Sequence, residues 1–252
     1  MTATWDLNAD LGEGDAAMDD ALLDVVTSAN VACGGHAGDD ATMARICEMA
    51  ASRGIAIGAQ VSYVDRDGFG RRRLDVPPRQ LAEQIRSQYQ SLVRHAQAAG
   101  SEVTYVKPHG ALYHAAVSDR EIAEIILSTT DGLPVLTLPY GALREGAQER
   151  GVIAHVEAFV DRGYTSDGSL VPRDHPDALL ASTDAVTARI DRLLADGIIV
   201  AIDGSPIAIA AQSICVHSDT PGADVLAARV RAYIEGSGAR LAPFAPPGPG
   251  AR

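Results

Sequence analysis

The sequence predicts an α/β protein: a (β/α) TIM-like barrel of about seven parallel strands, with a β-hairpin before the last strand. Three observations predict it. Apolar runs of strand length alternate with helical patterns along nearly all of the 252 residues, as a parallel sheet with helical crossovers requires. Neither G-x-G-x-x-G after the first strand nor G-x-x-x-x-G-K-[ST] occurs anywhere, so the open nucleotide-binding sheets lose weight to the barrel. Polar clusters follow the strands, and the C-terminal ends of its strands are where a (β/α) barrel builds its site.

Strands are expected at 5–11, 29–33, 55–60, 103–106, 134–138, 152–156, 198–202 and 214–217. Helices are expected at 20–28, 40–53, 77–99, 119–129, 141–150, 176–196 and 223–235. Several of these helices run into glycine (Gly54, Gly100, Gly132, Gly151, Gly197), the residue that best adopts the left-handed helix terminus. The stretch 198–210 breaks the alternation: two apolar runs flank Asp203-Gly204, a favoured two-residue hairpin turn, which explains Asp203 without assigning it chemistry. No linker or repeat interrupts the chain, so residues 1–242 are expected as one catalytic barrel domain. The Pro/Gly-rich residues 243–252 are expected as a flexible tail.

Composition excludes several function classes. With 33 acidic against 21 basic side chains the formal charge is −12, which repels phosphate backbones and anionic lipid; no nucleic acid and no membrane partner is expected. No apolar run reaches the roughly 18 residues of a membrane span, and no basic-then-apolar leader opens the chain. Cys33, Cys47 and Cys215 form no C-x-x-C pair, which suits a reducing, cytoplasmic location. An enzyme is the natural expectation.

The first strand is unusual. Alternation puts Trp5, Leu7, Ala9 and Leu11 on one face and Asp6, Asn8 and Asp10 on the other, which in a barrel is the lumen. Buried carboxylates demand partners, unless the strand is instead a wet edge. Glu13 adds a carboxylate just beyond. The second cluster runs from Ser28 through Asn30, Cys33 and His36 to Asp39, with three glycines in the turn; Asp39 reads equally as the N-cap of the next helix. The third, Lys107-Pro108-His109-Gly110, offers a fixed cation beside a general acid or base. The fourth, 157–173, carries Asp161 and Arg162 and is long and glycine-rich enough to be a lid. The fifth is Cys215-Val216-His217-Ser218-Asp219. The loop holding Arg71, Arg72 and Arg73 is either solvated surface or a grip for a substrate carboxylate.

These motifs resemble the LamB/YcsF family from about Asp6 to Glu235, on Asp6–Glu13, Ser28–Asp39, Val106–Tyr113, Phe159–Arg173 and Ile214–Asp219. The resemblance implies a deacetylase-like distorted barrel and a hydrolase acting on a cyclic amide C–N bond. The implied reaction is ATP-dependent opening of the 5-oxoproline lactam to L-glutamate, with partner subunits B and C. ATP is then a co-substrate handled with those partners, since this chain has no phosphate loop. At matching positions, catalysis is expected of Asp10, His36, Lys107 and His109, and substrate binding of Glu13, Asn30, Asp39, Asp161 and Arg162; Arg71 of the charged loop joins the expected substrate-binding residues. The chain departs from the family at Gly35 (often Phe), Gln60-Val61 (often His-Pro), Val64 (Pro) and Ser218 (Gly). Because Gln60 is a poor transition-metal ligand, no tightly bound metal is expected. A metal-dependent amide or carbohydrate deacetylase using Asp10, His36 and His109 or His217 remains open. So do a Cys215–His217 nucleophile and a non-catalytic lactam-binding role.

Overall fold

The computed structural model describes residues 3–180, 183–218, 220 and 222–246. Seven strands close into a barrel: β1 (Thr4–Leu11), β2 (Ser28–Ala32), β3 (Ala56–Gln60), β4 (Val103–Val106), β5 (Val135–Thr137), β6 (Ala154–Phe159) and, returning to β1, the strand Ser213–Val216. Every pairing in the barrel is parallel. The hairpin falls outside it: β7 (Ile198–Val200) and β8 (Pro206–Ala208) form their own antiparallel pair, so the closing strand is β9. A two-residue β10 (Arg240–Leu241) flanks the start of β1.

The helices follow their local signals. Asp15 accepts hydrogen bonds from the backbone N–H groups of Ala17 and Met18, so α1 (Ala16–Leu23) starts four residues before the position expected from hydrophobicity. Asp39 caps α2 (Asp40–Arg53), and Gly54 ends it in the left-handed conformation. The long α3 (Pro78–Ala98) buries Leu81, Ile85, Leu92 and Ala96 along one stripe at helical spacing. α4 (Gly110–Ser118) is absent from the expected elements, whereas α5 (Arg120–Thr129) and α6 (Ala142–Glu149) are among them. The expected helix 176–196 is shortened to α7 (Thr183–Asp196), with one 3₁₀ turn at Pro176–Ala178 before it, and α8 (Ala223–Gly236) closes the ring. No helix among the described residues is long and apolar enough to cross a membrane.

The two faces of β1 divide as alternation demands. Leu7, Ala9 and Leu11 are fully buried against the helices, while Asp6, Asn8 and Asp10 are buried inside the barrel, no more than 4% exposed. The wet-edge reading is therefore excluded. The lower end of the barrel is closed by the chain's own C-terminal segment. Ala242 N–H donates to Trp5 C=O, and the Phe244 ring lies 4.7 Å from Tyr105 and 4.6 Å from His155. Thus 243–246, expected to open a flexible tail, packs instead, because an aromatic ring there covers the apolar mouth that Tyr105 and Leu136 would expose. Residues 247–252 lie outside the described residues, as does Asp219.

Asp6 sits just above this plug and accepts hydrogen bonds from the hydroxyls of Thr27, Ser28 and Ser213. Burial nevertheless pushes its carboxyl from 3.8 up to about 6; the three hydroxyls only partly offset that, and nearby Glu157 adds to it. Asp6 binds its proton more tightly folded than unfolded, so its contribution is full below the unfolded value and is lost as pH rises through about 6. At roughly 1.4 kcal/mol per unit, the stability lost to this group by pH 7 is about 3 kcal/mol. Asp6→Asn should therefore be more favourable relative to wild type at pH 7 than at pH 4, measured by denaturant unfolding. Equal stability differences at the two pH values would refute the assignment.

Candidate functional site

The floor of the site is a buried polar network spanning five strands. Asn30 Nδ2 donates to Asn8 Oδ1 at 2.7 Å and to Asp10 Oδ1 at 3.0 Å, and the Tyr105 hydroxyl donates to Asn30 Oδ1 at 2.7 Å. Gly58 makes room for that tyrosine: a Cβ there would come within 2.2 Å of the ring. Lys107 stands at the centre. Its Nζ lies 2.8 Å from Glu157 Oε2, 3.3 Å from Asp10 Oδ1, 3.3 Å from Asn8 Oδ1 and 3.1 Å from Cys215 Sγ. Burial alone would strip the charge from this lysine. The surrounding carboxylates of Asp10 and Glu157 overcome that and hold its ammonium well above the usual range. Conversely, burial would protonate Asp10, but the Lys107 ammonium above all, with the Asn30 amide donating to it, keeps it well below the usual carboxylate range. Burial likewise raises the Cys215 thiol well above its ordinary value despite Lys107, so it stays protonated and is no thiolate nucleophile.

Beside this floor, at the ends of β2, β3 and β4, two imidazoles stack with centroids 3.7 Å apart and planes within 4°. They belong to His36 and His109. Phe69 stands edge-on to both, at 5.4 and 5.6 Å, and adopts a left-handed φ of 54° to do so. Glu13 Oε1 lies 2.9 Å from His36 Nε2 and 3.4 Å from His109 Nδ1. Gln60 Nε2 donates to Glu13 Oε1 at 3.2 Å and approaches His109 Nδ1 at 3.0 Å. Burial, with His36 alongside, drives the His109 imidazole well below its ordinary value, so it is neutral at neutral pH. One donor atom each from Glu13, His36 and His109 falls within 4.8 Å of the other two.

The opposite wall comes from β6 and β9. His217 Nδ1 lies 3.1 and 3.2 Å from the two oxygens of Asp161, and its ring stacks on Phe159 with planes 12° apart. Burial opposes ionisation of Asp161, yet His217 and the Thr220 hydroxyl hold its carboxyl below the usual range. A carboxylate accepts only, so Nδ1 carries the proton and Nε2 is the nitrogen left for the cavity that His217 lines. That cavity, about 450 Å³, is also lined by Asp10, Lys107, His109, Arg162 and, around its mouth, Arg71, Arg73 and Arg173. The guanidinium of Arg162 additionally donates to the carbonyls of Ala178 and Val171, which ties the 163–180 segment over the site.

The structure thus brings Asp10, Lys107, His109, Arg71 and Arg162 to one cavity. Asn30 and Asp161 stand one hydrogen bond behind it, and Glu13 and His36 beside it. Asp39 is a correction. It is exposed, and its carboxylate is spent on the Thr42 N–H as a helix cap, away from the cavity. Two residues gain importance only from the fold. His217 belongs to the fifth sequence cluster, but its role depends on Asp161, which the fold sets against it. Glu157, fully buried against Lys107, is the one carboxylate on β6, and nothing short of the barrel shows what it faces.

Comparison with known proteins agrees with this architecture. The chain is 51% identical over 248 residues to a Streptomyces avermitilis protein named as the A subunit of 5-oxoprolinase, covering 95% of this chain and 99% of that one. A homologue of the same name from Mycolicibacterium gilvum is 47% identical over 247 residues, covering 95% and 98%. The crystal structure of a lactam utilization protein from Thermus thermophilus superposes with a TM-score of 0.88 at 34% identity, covering 96% and 100%. The model of the LamB/YcsF family matches residues 5–247, and the chain belongs to that family.

Proposed function

We propose that this chain is the lactam-opening component of an ATP-dependent 5-oxoprolinase, a hydrolase that converts 5-oxoproline to L-glutamate. The observation that carries the reading is the cavity itself: a basic mouth in an acidic chain, over a floor with one oriented histidine. The names of the relatives supply the substrate. 5-Oxoproline carries one carboxylate and one five-membered amide, so it needs a cationic grip and a proton-transfer group a few ångströms apart. Arg71 or Arg162 provides the grip, by paired hydrogen bonds to the carboxylate.

The amide is resonance-stabilised and resists water. Phosphorylation of its carbonyl oxygen makes the carbon electrophilic, and that step is assigned to the partner subunits B and C with ATP. On this chain, a base takes a proton from water as its oxygen bonds to the carbon; the ring nitrogen gains a proton as the C–N bond breaks, leaving an acyl phosphate that a second water hydrolyses to L-glutamate and inorganic phosphate. Three residues lining the cavity can be compared as bases. Asp10 is a weak one, because Lys107 holds it ionised. His109 has Nε2 on the Phe69 carbonyl at 3.1 Å and Nδ1 turned to Gln60, away from a substrate. His217, its tautomer set by Asp161, is the best placed. Lys107 contributes positive charge beneath the reacting carbon, shared with Asp10 and Glu157. All of this is soluble chemistry in a reducing cytoplasm, without nucleic acid or membrane.

Two measurements check this. With the two partner subunits and ATP, glutamate release from 5-oxoproline should require this chain. His217→Ala should lower that rate by about 10²–10³-fold, the range of a lost general base, with Asp161→Asn intermediate. Full activity in His217→Ala would overturn the assignment. Lys107→Met should behave differently, because it strands Asp10 and Glu157 as buried carboxylates. It should lose about 3–5 kcal/mol of unfolding free energy, and the loss should shrink in Glu157→Gln/Lys107→Met. Unchanged stability would show that the buried pair is not what holds the barrel interior.

A further inference from the structure

Glu13, His36 and His109 form a cluster that ring opening does not use, and their hydrogen bonds fix where their lone pairs point. The Ser62 hydroxyl spends its one proton on the Tyr63 carbonyl at 3.0 Å, so it can only accept from His36 Nδ1, also at 3.0 Å. His36 Nδ1 therefore carries the hydrogen. His109 Nε2 lies 3.1 Å from the Phe69 carbonyl, an acceptor, so it carries the hydrogen on that ring. That leaves His36 Nε2 and His109 Nδ1 turned toward one carboxylate oxygen of Glu13, at 2.9 and 3.4 Å, and on His109 that nitrogen is bare. Three atoms able to ligate a metal converge here, and an ion at that centre would displace only the hydrogen between His36 Nε2 and Glu13 and those of the Gln60 amide.

Gln60 is the second, independent observation. It is fully buried, its amide end is at this cluster, and its Oε1 has no hydrogen-bond partner. Turned end for end, the amide would aim that orphan oxygen at the same centre. We propose that Glu13, His36 and His109 bind a divalent transition-metal ion of the zinc class, with Gln60 Oε1 as an auxiliary oxygen donor.

Two imidazoles and a carboxylate are a zinc-type donor set that leaves a coordination position open. The donor separations of 2.9 and 3.4 Å match the edges, about 3.0–3.4 Å, of an octahedron or tetrahedron with bonds of about 2.1 Å. The two rings are stacked within 4° of parallel, so both must turn well out of the stack for their lone pairs to meet one ion. The supporting shell is built accordingly. Gln88 grips Ser62 by both its N–H and its C=O at 2.9 Å, which fixes the hydroxyl that orients His36. Gly35 makes room for this, since a Cβ there would lie 2.3 Å from Ser62 Oγ and 2.5 Å from Gln88 Oε1. The sequence expectation of no tightly bound metal weighs Gln60 as a lost histidine; in the fold, Glu13 supplies the third donor.

This inference does not rest on the lactam reading, and its test needs neither substrate nor ATP. The full chain, stripped with a chelator and dialysed, is titrated with Co²⁺ and then Zn²⁺. One equivalent of Co²⁺ should produce visible d–d absorption that Zn²⁺ displaces. In wild type, ¹⁵N resonances of His36 Nε2 and His109 Nδ1 should shift on Zn²⁺ binding. Glu13→Gln and His36→Ala should each weaken binding at least tenfold at unchanged circular dichroism, while His95→Ala on α3 should not. No saturable one-equivalent transition below millimolar Co²⁺ in wild type overturns the proposal. So does binding that Glu13→Gln leaves unaltered, or a His36 ring that stays doubly protonated on Glu13 in the presence of Zn²⁺.

Discussion

The structure depends on one buried cation. The lumen of a (β/α) barrel is ordinarily filled by branched apolar side chains, yet this one holds Asp6, Asn8, Asp10, Asn30 and Glu157 with almost no access to water. Several kcal/mol of desolvation attend each buried ion, and they are offset only if opposite charge sits among the carboxylates. Lys107, projecting from the end of β4, contacts Asp10 of β1 and Glu157 of β6 at once. It joins strands from opposite sides of the barrel. Removing the lysine would leave two like charges facing each other, whereas removing a carboxylate would leave the lysine one partner. The lysine is therefore the less replaceable member.

That polar interior explains why the two ends of the barrel differ. At the lower end Phe244 and Tyr105 form an apolar stopper, and the Tyr105 hydroxyl reaches up to Asn30. The tyrosine is thus the seam between dry plug and wet network, with its ring on one and its oxygen on the other. Above it, six of the seven barrel strands carry a polar residue near or just past that end: Asp10, Asn30, Gln60, Lys107, Asp161 and His217. Once charges occupy the lumen, only the end with glycine loops and a tethered lid remains open to a ligand.

Much of this is legible in the sequence, for stated reasons. Strict alternation in 5–11 places three polar residues on the lumen face, and burial of all three follows from the period of a strand. The lid stretch and the hairpin turn are legible because glycine and Asp-Gly punctuate them. What stays hidden depends on partners distant in the chain. Asp39 looks like Asp10 in sequence, but one caps a helix and the other meets a lysine 97 residues away. α4 escapes because its segment is apolar on most sides, as a buried helix is, and so carries no amphipathic stripe. Phe244 reads with its Pro/Gly-rich neighbours, although a single aromatic ring is enough to fasten a chain end.

The histidines of the site show how the same side chain is given different work by its second hydrogen bond. His217 has a carboxylate behind it and an aromatic face beneath it, so one tautomer is fixed and the opposite nitrogen meets the cavity, the arrangement that proton transfer requires. His36 and His109 have neutral acceptors behind them, a serine hydroxyl and a backbone carbonyl, and burial keeps His109 uncharged. With those hydrogens turned outward, the inward nitrogens of the pair are the ones an ion would take, which suits holding a cation better than shuttling a proton. The division follows from what stands behind each ring. A carboxylate stabilises the imidazolium that forms when a base takes a proton; a carbonyl or hydroxyl orients the ring with far less of that stabilisation. Asp161 thus separates the two functions, and the distance across the cavity keeps the proton-accepting nitrogen of His217 apart from the paired lone pairs on the other wall.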